Sequence, residues 1–237
     1  MSHAGKSPTN HPIILVGGGK GGVGKSMLSM AVMDYLHATK KPTFLLETDT
    51  SAPDVWKTYG NEVDNQCVDL EQKEGWLEML DLIERHAGYH MVINSKAANQ
   101  GGLRRWGGML MEALREQDRK LVVLWVIDRK RDGLELLASF METLAPGGRV
   151  AIHAVRNLYW GDENKFEMYN GSEIRKEVER RGGKTLNFPD VADRVAEAIN
   201  RDRMPIHLAL TSLSFGSRIE LSRWRGEYHQ MITEILP

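Results

Sequence analysis

One cysteine, Cys67, stands among 237 residues. An intrachain disulfide framework is therefore excluded, and a cysteine-based metal site lacks ligands. Cys67 reads as an ordinary reduced thiol. An excess of one charge is missing as well: 31 Lys and Arg against 32 Asp and Glu leave a formal net charge of -1. No global field draws such a chain to nucleic acid or to an acidic membrane, so any such attraction needs a local patch. Long apolar runs are also lacking. Leu121–Ile127 and Ile13–Val16 are the longest, far short of the roughly 20 residues that cross a bilayer. Residues 1–11 are polar and aperiodic, with Ser2, His3, Lys6, Ser7, Pro8 and Asn10, and no apolar stretch of signal-peptide length follows them. They read as a disordered tail, and the cytoplasm is the expected compartment.

Apolar residues (41%) and charged residues (27%) are close to the averages of soluble globular proteins, enough for one large core. Ile13–Val16, ending in Gly17, is a continuous apolar run suited to a buried parallel strand. Ser26 to His37 carries a helical stripe at Leu28, Ala31, Val32 and Tyr35. Strands follow at Thr43–Leu46, Met91–Ile93, Leu121–Ile127 and Ala151–Val155. Helices are predicted at Trp76–Arg85 and at Leu134–Leu144, the latter stopping before Pro146-Gly147-Gly148. Ser172–Arg181 reads as a helix capped by Ser172 and stopped at Gly182-Gly183, and Asp190–Asn200 as one capped by Asp190. A last amphipathic helix covers Arg218–Ile235. Strands alternating with helices predict an α/β fold: a mostly parallel, twisted sheet with helices on both faces. No repeat or linker divides the chain, so residues 12–237 read as one domain.

Gly19-Lys20-Gly21-Gly22-Val23-Gly24-Lys25-Ser26 fits G-x-x-x-x-G-K-[ST] in full, between a strand and a helix. The glycines accept backbone angles that a side chain forbids, so successive N–H groups can face one centre. The helix that starts near Lys25 points its positive end at that centre. Lys25 sets an ammonium against the β- and γ-phosphates, and Ser26 offers a hydroxyl to Mg²⁺. At ordinary residue frequencies a chain of this length meets the pattern by chance roughly once in a hundred. ATP with Mg²⁺ is the expected ligand, in a three-layer α/β/α P-loop NTPase. Gly19 to Ser26 and Met27 form the expected nucleotide-binding set.

The general motif does not ask for Lys20. Lys20-Gly21-Gly22-Val23-Gly24-Lys25-Ser26 resembles the deviant Walker A motif of the ParA/MinD/nitrogenase-iron-protein ATPases. The resemblance implies that Lys20 reaches across an ATP-sandwich dimer to the partner's nucleotide; otherwise it is a solvated loop lysine. Glu47-Thr48-Asp49 ends the second strand, where carboxylates suit water positioning or metal contact. It resembles the family's first switch, in which Asp49 would orient or activate the attacking water and touch the metal. Glu47 stands where the family more often has Asp. Asp49 read without the family is a strand-end acid that caps a turn. The family's next element is an apolar strand ending in Asp, which holds Mg²⁺ through water. Here His90-Met91-Val92-Ile93 is followed by Asn94, a neutral amide and a weaker partner for Mg²⁺. By chain order Asn94 takes that place; Asp128, after Leu121–Ile127, is the rival. Gly101-Gly102 are either part of a second switch or plain turn glycines.

Asn157 ends a strand where the family has an Asn that reads the adenine edge, and an amide can pair with that edge bidentately. Asn157-Leu158-Tyr159-Trp160-Gly161, with Phe166-Glu167 and Met168-Tyr169, is similar to the TraL-like ATPases of conjugative plasmids; Tyr159 and Trp160 are otherwise core or lid residues. Pro189-Asp190 resembles the base-flanking loop. The likeness runs from about Ile13 to Pro205. It implies an ATP-dependent homodimer awaiting a protein partner or activator, with DNA a possible ligand. Arg194, Arg201, Arg203, Arg218, Arg223 and Arg225 suit DNA, but Glu197, Asp202, Glu220 and Glu227 interleave them, as on a solvated mixed face. No Lys-rich amphipathic tail supports a membrane contact. Three functions remain open: an ATP-driven dimerising ATPase serving plasmid partition or conjugation, an ATP-bound scaffold that rarely hydrolyses, and a P-loop small-molecule kinase.

Overall fold

The computed structural model describes residues 11–96, 100–144 and 148–236. In chain order its strands are β1 (Ile13–Gly18), β2 (Thr43–Glu47), β3 (Asp64–Cys67), β4 (His90–Asn94), β5 (Leu121–Ile127), β6 (Val150–Asn157) and β7 (Thr185–Phe188). Its helices are α1 (Lys25–Ala38), α2 (Asp54–Tyr59), α3 (Lys73–Arg85), α4 (Gln100–Glu116), α5 (Arg131–Thr143), α6 (Glu167–Asn170), α7 (Glu173–Arg180), α8 (Asp193–Asp202), α9 (Ile206–Ser212) and α10 (Phe215–Thr233). The strands form one sheet in the order β3-β2-β4-β1-β5-β6-β7, and every pair is parallel.

Each central strand alternates between two cores. Ile14, Val16, Val122, Leu124 and Val126 face one side, packed with α1, α8, α9 and α10. Ile13, Leu121, Val123, Trp125 and Ile127 face the other, packed with α3, α4 and α5. Burial on both faces explains why β1 and β5 read as unbroken apolar runs instead of alternating patterns. β1 leads through α1 to β2 on one side, whereas β5 leads to β6 on the other. The reversal opens a crevice at the carboxyl end of β1, the usual ligand position in such sheets.

Several predicted boundaries move. Ser172 caps α7 as expected, accepting from the Arg175 amide at 3.2 Å. Asp190 does not cap α8, which begins three residues later, at Asp193. The Pro189 and Asp190 carbonyls are held instead by Trp224 (2.8 Å) and Arg223 (2.9 Å), so α10 keeps this stretch out of the helix. Gly101 and Gly102 lie inside α4 and form no turn. α10 begins at Phe215, earlier than expected, and buries Leu221, Trp224, Tyr228 and Ile232 along one stripe. The expected tail, residues 1–10 of it, and the Pro146-Gly147 stop lie outside the described residues.

Candidate functional site: the loop between the first strand and the first helix

The site is built on the abrupt change from β1 to α1. Gly24, the residue before α1, has φ 106°, a left-handed backbone that favours glycine. A Cβ there would lie 2.4 Å from Asn157 Nδ2. Asn157 is buried and donates to the Val23 carbonyl at 2.8 Å, while its Oδ1 accepts from the Tyr159 amide at 3.2 Å. The residue expected to read a base thus braces the loop. Pro189 is buried at the end of β7.

Lys25 is buried, and its ammonium arches back to the Lys20 carbonyl at 3.0 Å. Burial lowers its pKa, opposed by the nearby Asp49 carboxylate. Lys25 and Asp49 therefore converge from α1 and from the end of β2. Gly22, Gly24, Lys25, Ser26 and Met27 form one wall of a cleft of about 470 Å³. Asp54, Thr58, Asn200 and Arg203 line its other side. Arg203 was noted from sequence only as one of the arginines that suit DNA, and Asp54, Thr58 and Asn200 were not singled out, because no motif marks them and tertiary packing brings them to the loop. Lys20 projects from the loop, exposed, and pairs with Asp132 in the first turn of α5.

Beneath the loop lies a buried polar network. Glu47 and Asn94 are register partners in β2 and β4, so their side chains share a face. Asn94 Nδ2 donates to both Glu47 oxygens, at 2.9 and 3.1 Å. Asn94 Oδ1 accepts from Ser29 Oγ at 2.9 Å, one turn into α1 from Ser26. Glu47 also accepts from the Asp49 amide (3.0 Å) and the Trp56 amide (3.4 Å). Burial pushes its carboxyl up to about 7 against the pull of those donors. The Asp49 carboxylate accepts from Ser51 Oγ (2.6 Å) and the Ala52 amide (3.2 Å), which shapes the turn after β2. Asp128 is buried at the end of β5, where its carboxylate accepts from the Lys130 amide at 2.9 Å. It shapes the turn into α5.

An anion cradle, a buried ammonium and the oxygen donors of Ser26 and Asp49 suit a polyphosphate and a hard divalent cation. Residues 14–158 match the CobQ/CobB/MinD/ParA nucleotide binding domain. The chain belongs to this family. Within the family it is 44% identical to Protein MobD of Acidithiobacillus ferrooxidans over 224 residues, 94% of this chain and 97% of that protein. Its fold is shared with MinD of Pyrococcus horikoshii OT3, solved as a complex with Mg-ADP: TM-score 0.55 at 13% identity, covering 96% of this chain and 99% of that one. It is shared also with the MinC:MinD cell division complex of Aquifex aeolicus: TM-score 0.52 at 14% identity, covering 95% and 98%. Of the six arginines that suit DNA by sequence, three form ion pairs. Arg201 meets Asp202, Arg223 meets Glu220 and Glu227, and Arg225 meets Asp34. Among the described residues no helix is long and apolar enough to cross a membrane.

Proposed function

We propose that the protein is a cytoplasmic ATPase that dimerises on binding ATP and serves plasmid partition or conjugative DNA transfer. The observation that supports this reading best is the division of labour between the two loop lysines. Lys25 is buried over the cradle, while Lys20 stands exposed on the loop's outer side, free of the phosphate centre in its own chain. The loop amides and Lys25 bind the β- and γ-phosphates. Ser26, with Asp49 and the Asn94 network, holds the cation side. Ser26 and Asp49 would supply oxygen ligands to Mg²⁺, which would offset phosphate charge there. Asp49 orients water toward the γ-phosphorus, and the bridging oxygen leaves with ADP. Lys20 of a second copy offsets the charge that develops there. Asn157 and Pro189 flank the base, and a protein partner speeds turnover.

Light scattering with and without Mg-ATP tests the reading. Wild-type protein is expected to double in mass with Mg-ATP; Lys25→Ala loses nucleotide binding, and Lys20→Ala binds but stays monomeric. A monomeric wild type with bound ATP would sink the dimerising switch. Dimerisation that survives Lys20→Ala favours a P-loop kinase. Asn94, in place of an acid, motivates the second reading, an ATP-bound scaffold. Single-turnover phosphate release that disappears in Asp49→Ala supports the enzyme, and release no faster than buffer supports the scaffold.

A further inference from the structure

Arg203, the residue after α8, stands on the far wall of the cleft over the phosphate loop, across from Lys25 and Ser26. We infer that Arg203 binds the terminal phosphate of the nucleotide, as a second cation supplied by the same chain. The inference rests on the proposed binding of ATP, but not on dimerisation or hydrolysis.

Three observations carry it. The first is position. The cleft of about 470 Å³ joins Lys25 and Ser26 to Asp54 and Thr58 of α2, the helix that follows the Asp49 turn. Asn157 and Pro189, proposed to flank the base, do not line it. The cleft therefore lies at the terminal-phosphate end of the site. The second is availability. Arg203 is exposed, and among the described residues its guanidinium has no ion-pair or hydrogen-bond partner. Asp54 shares the cleft, yet no ion pair joins it to Arg203. Lys20, by contrast, is held by Asp132 on the loop's outer side. The third is the backbone. Arg203 has φ 45° and ψ 49°, the left-handed conformation that favours glycine after a helix. It is imposed by the junction between α8 and α9. The Met204 amide donates to the Ile199 carbonyl at 3.0 Å. The Ile206 amide donates to Tyr59 Oη at 3.2 Å, and Tyr59 Oη donates to the Met30 carbonyl at 3.3 Å. These bonds fasten the junction to α1 and α2 and fix residue 203 at the rim of the cleft. An arginine there bears a strain that glycine would avoid, with no contact among the described residues to offset it. Its planar guanidinium can give two parallel N–H bonds to the oxygens of one phosphate.

Wild type, Arg203→Gly and Arg203→Lys test this, by calorimetry with ATP and with ADP and by the melting temperature of nucleotide-free protein. Arg203→Gly is expected to weaken ATP about tenfold and ADP by no more than about threefold. Its melting temperature should rise by about 2–4 °C, because glycine relieves the left-handed backbone. A gain in stability beside a loss of ATP affinity is a result that a merely structural arginine would not give. Arg203→Lys keeps the charge but not the fork, so its ATP affinity should fall between the other two, with no gain in melting temperature. An Arg203→Gly protein that binds ATP as tightly as wild type would overturn the inference and leave the proposed function standing. Equal losses for ATP and ADP would overturn it as well, and a lowered melting temperature beside them would mark a structural role. A wild type that binds no ATP refutes the proposed function and this inference with it. A wild type that binds ATP but stays monomeric refutes the dimerising switch alone, and the variants still decide the role of Arg203.

Discussion

The side-chain amide of Asn157 donates to the carbonyl of Val23 over 2.8 Å, which ties the end of β6 to the middle of the phosphate loop. The contact needs the bare backbone of Gly24 beside it, where an added Cβ would fall 2.4 Å from the Asn157 nitrogen. Gly24→Ala therefore meets two obstacles, the clash and a φ of 106°. ATP affinity, measured by calorimetry, is expected to fall by about two orders of magnitude, since both the amide cradle and the start of α1 are displaced. Asn157→Ala alone leaves the backbone angle intact and should cost about tenfold. Combining the two removes the clash but not the strain, so the double variant should stay as weak as Gly24→Ala.

Lys20 and Asp132 form an ion pair in which both side chains are more than half exposed. Such pairs contribute about 0–1 kcal/mol, so Asp132→Ala should leave the urea midpoint nearly unchanged. If Lys20 works on a second copy's nucleotide, however, the pair competes with dimerisation. Asp132→Ala should then tighten the Mg-ATP dimer by about two- to threefold at low salt, and the gain should vanish near 1 M salt. Sedimentation velocity measures this. A weaker dimer would instead mean that Asp132 itself touches the partner.

Asp34 on α1 is fully buried, and three donors from α10 converge on its Oδ2: Arg225 Nε at 2.7 Å, Tyr228 Oη at 2.5 Å and His229 Nε2 at 2.9 Å. Burial pushes its pKa up, but His229, Arg225 and Tyr228 together hold it below the usual carboxylate value. This network clamps the C-terminal helix onto the helix that follows the phosphate loop. Asp34→Ala leaves a partly buried guanidinium without its partner and should cost about 3 kcal/mol in urea unfolding, with the slope unchanged. Asp34→Ala/Arg225→Ala should recover part of the loss, because the stranded charge is gone.

What sequence could reveal follows from the range of the physics. The loop and its flanking strands were legible because short-range constraints make them: glycines at fixed offsets, and apolar runs buried on both faces. β3 escaped notice because Asp64-Asn65-Gln66-Cys67 is polar; it is an edge strand held by pairing to β2, not by burial. α4 was obscured by Gly101, Gly102, Gly107 and Gly108, which helix propensity disfavours and which packing of Leu103, Leu110 and Leu114 overrides. The start of α8 was misplaced because bonds from α10, far along the chain, hold Pro189 and Asp190. Within the site, Asn94 was legible as a departure, but its match with Glu47 was not, since the two meet only through strand register. Arg119 gave no signal at all. It is fully buried and donates to the carbonyls of His11, Ile83, His86 and Tyr89.

Two buried histidines make stability depend on pH. His90 and His153 are both pushed down to about 4, in each case chiefly by burial. His153 Nδ1 accepts from the Lys184 amide at 3.0 Å, a bond that a protonated ring cannot accept. Because the folded pKa lies below the unfolded value, the unfolded chain binds more protons between about pH 6.5 and pH 4. Their contribution is complete above that window and is lost as pH falls through it, up to about 3 kcal/mol for each ring. Glu47, raised to about 7, acts in the opposite sense, since the folded chain then holds the extra proton. The wild-type curve alone therefore mixes the two. His153→Asn keeps an acceptor for the Lys184 amide but cannot take up a proton. The difference in urea stability between wild type and His153→Asn isolates the ring. It should be nearly constant above pH 7 and should move in favour of the variant by about 1.4 kcal/mol for each pH unit below 6. A difference that stays flat down to pH 5 would show that His153 titrates normally in the folded protein.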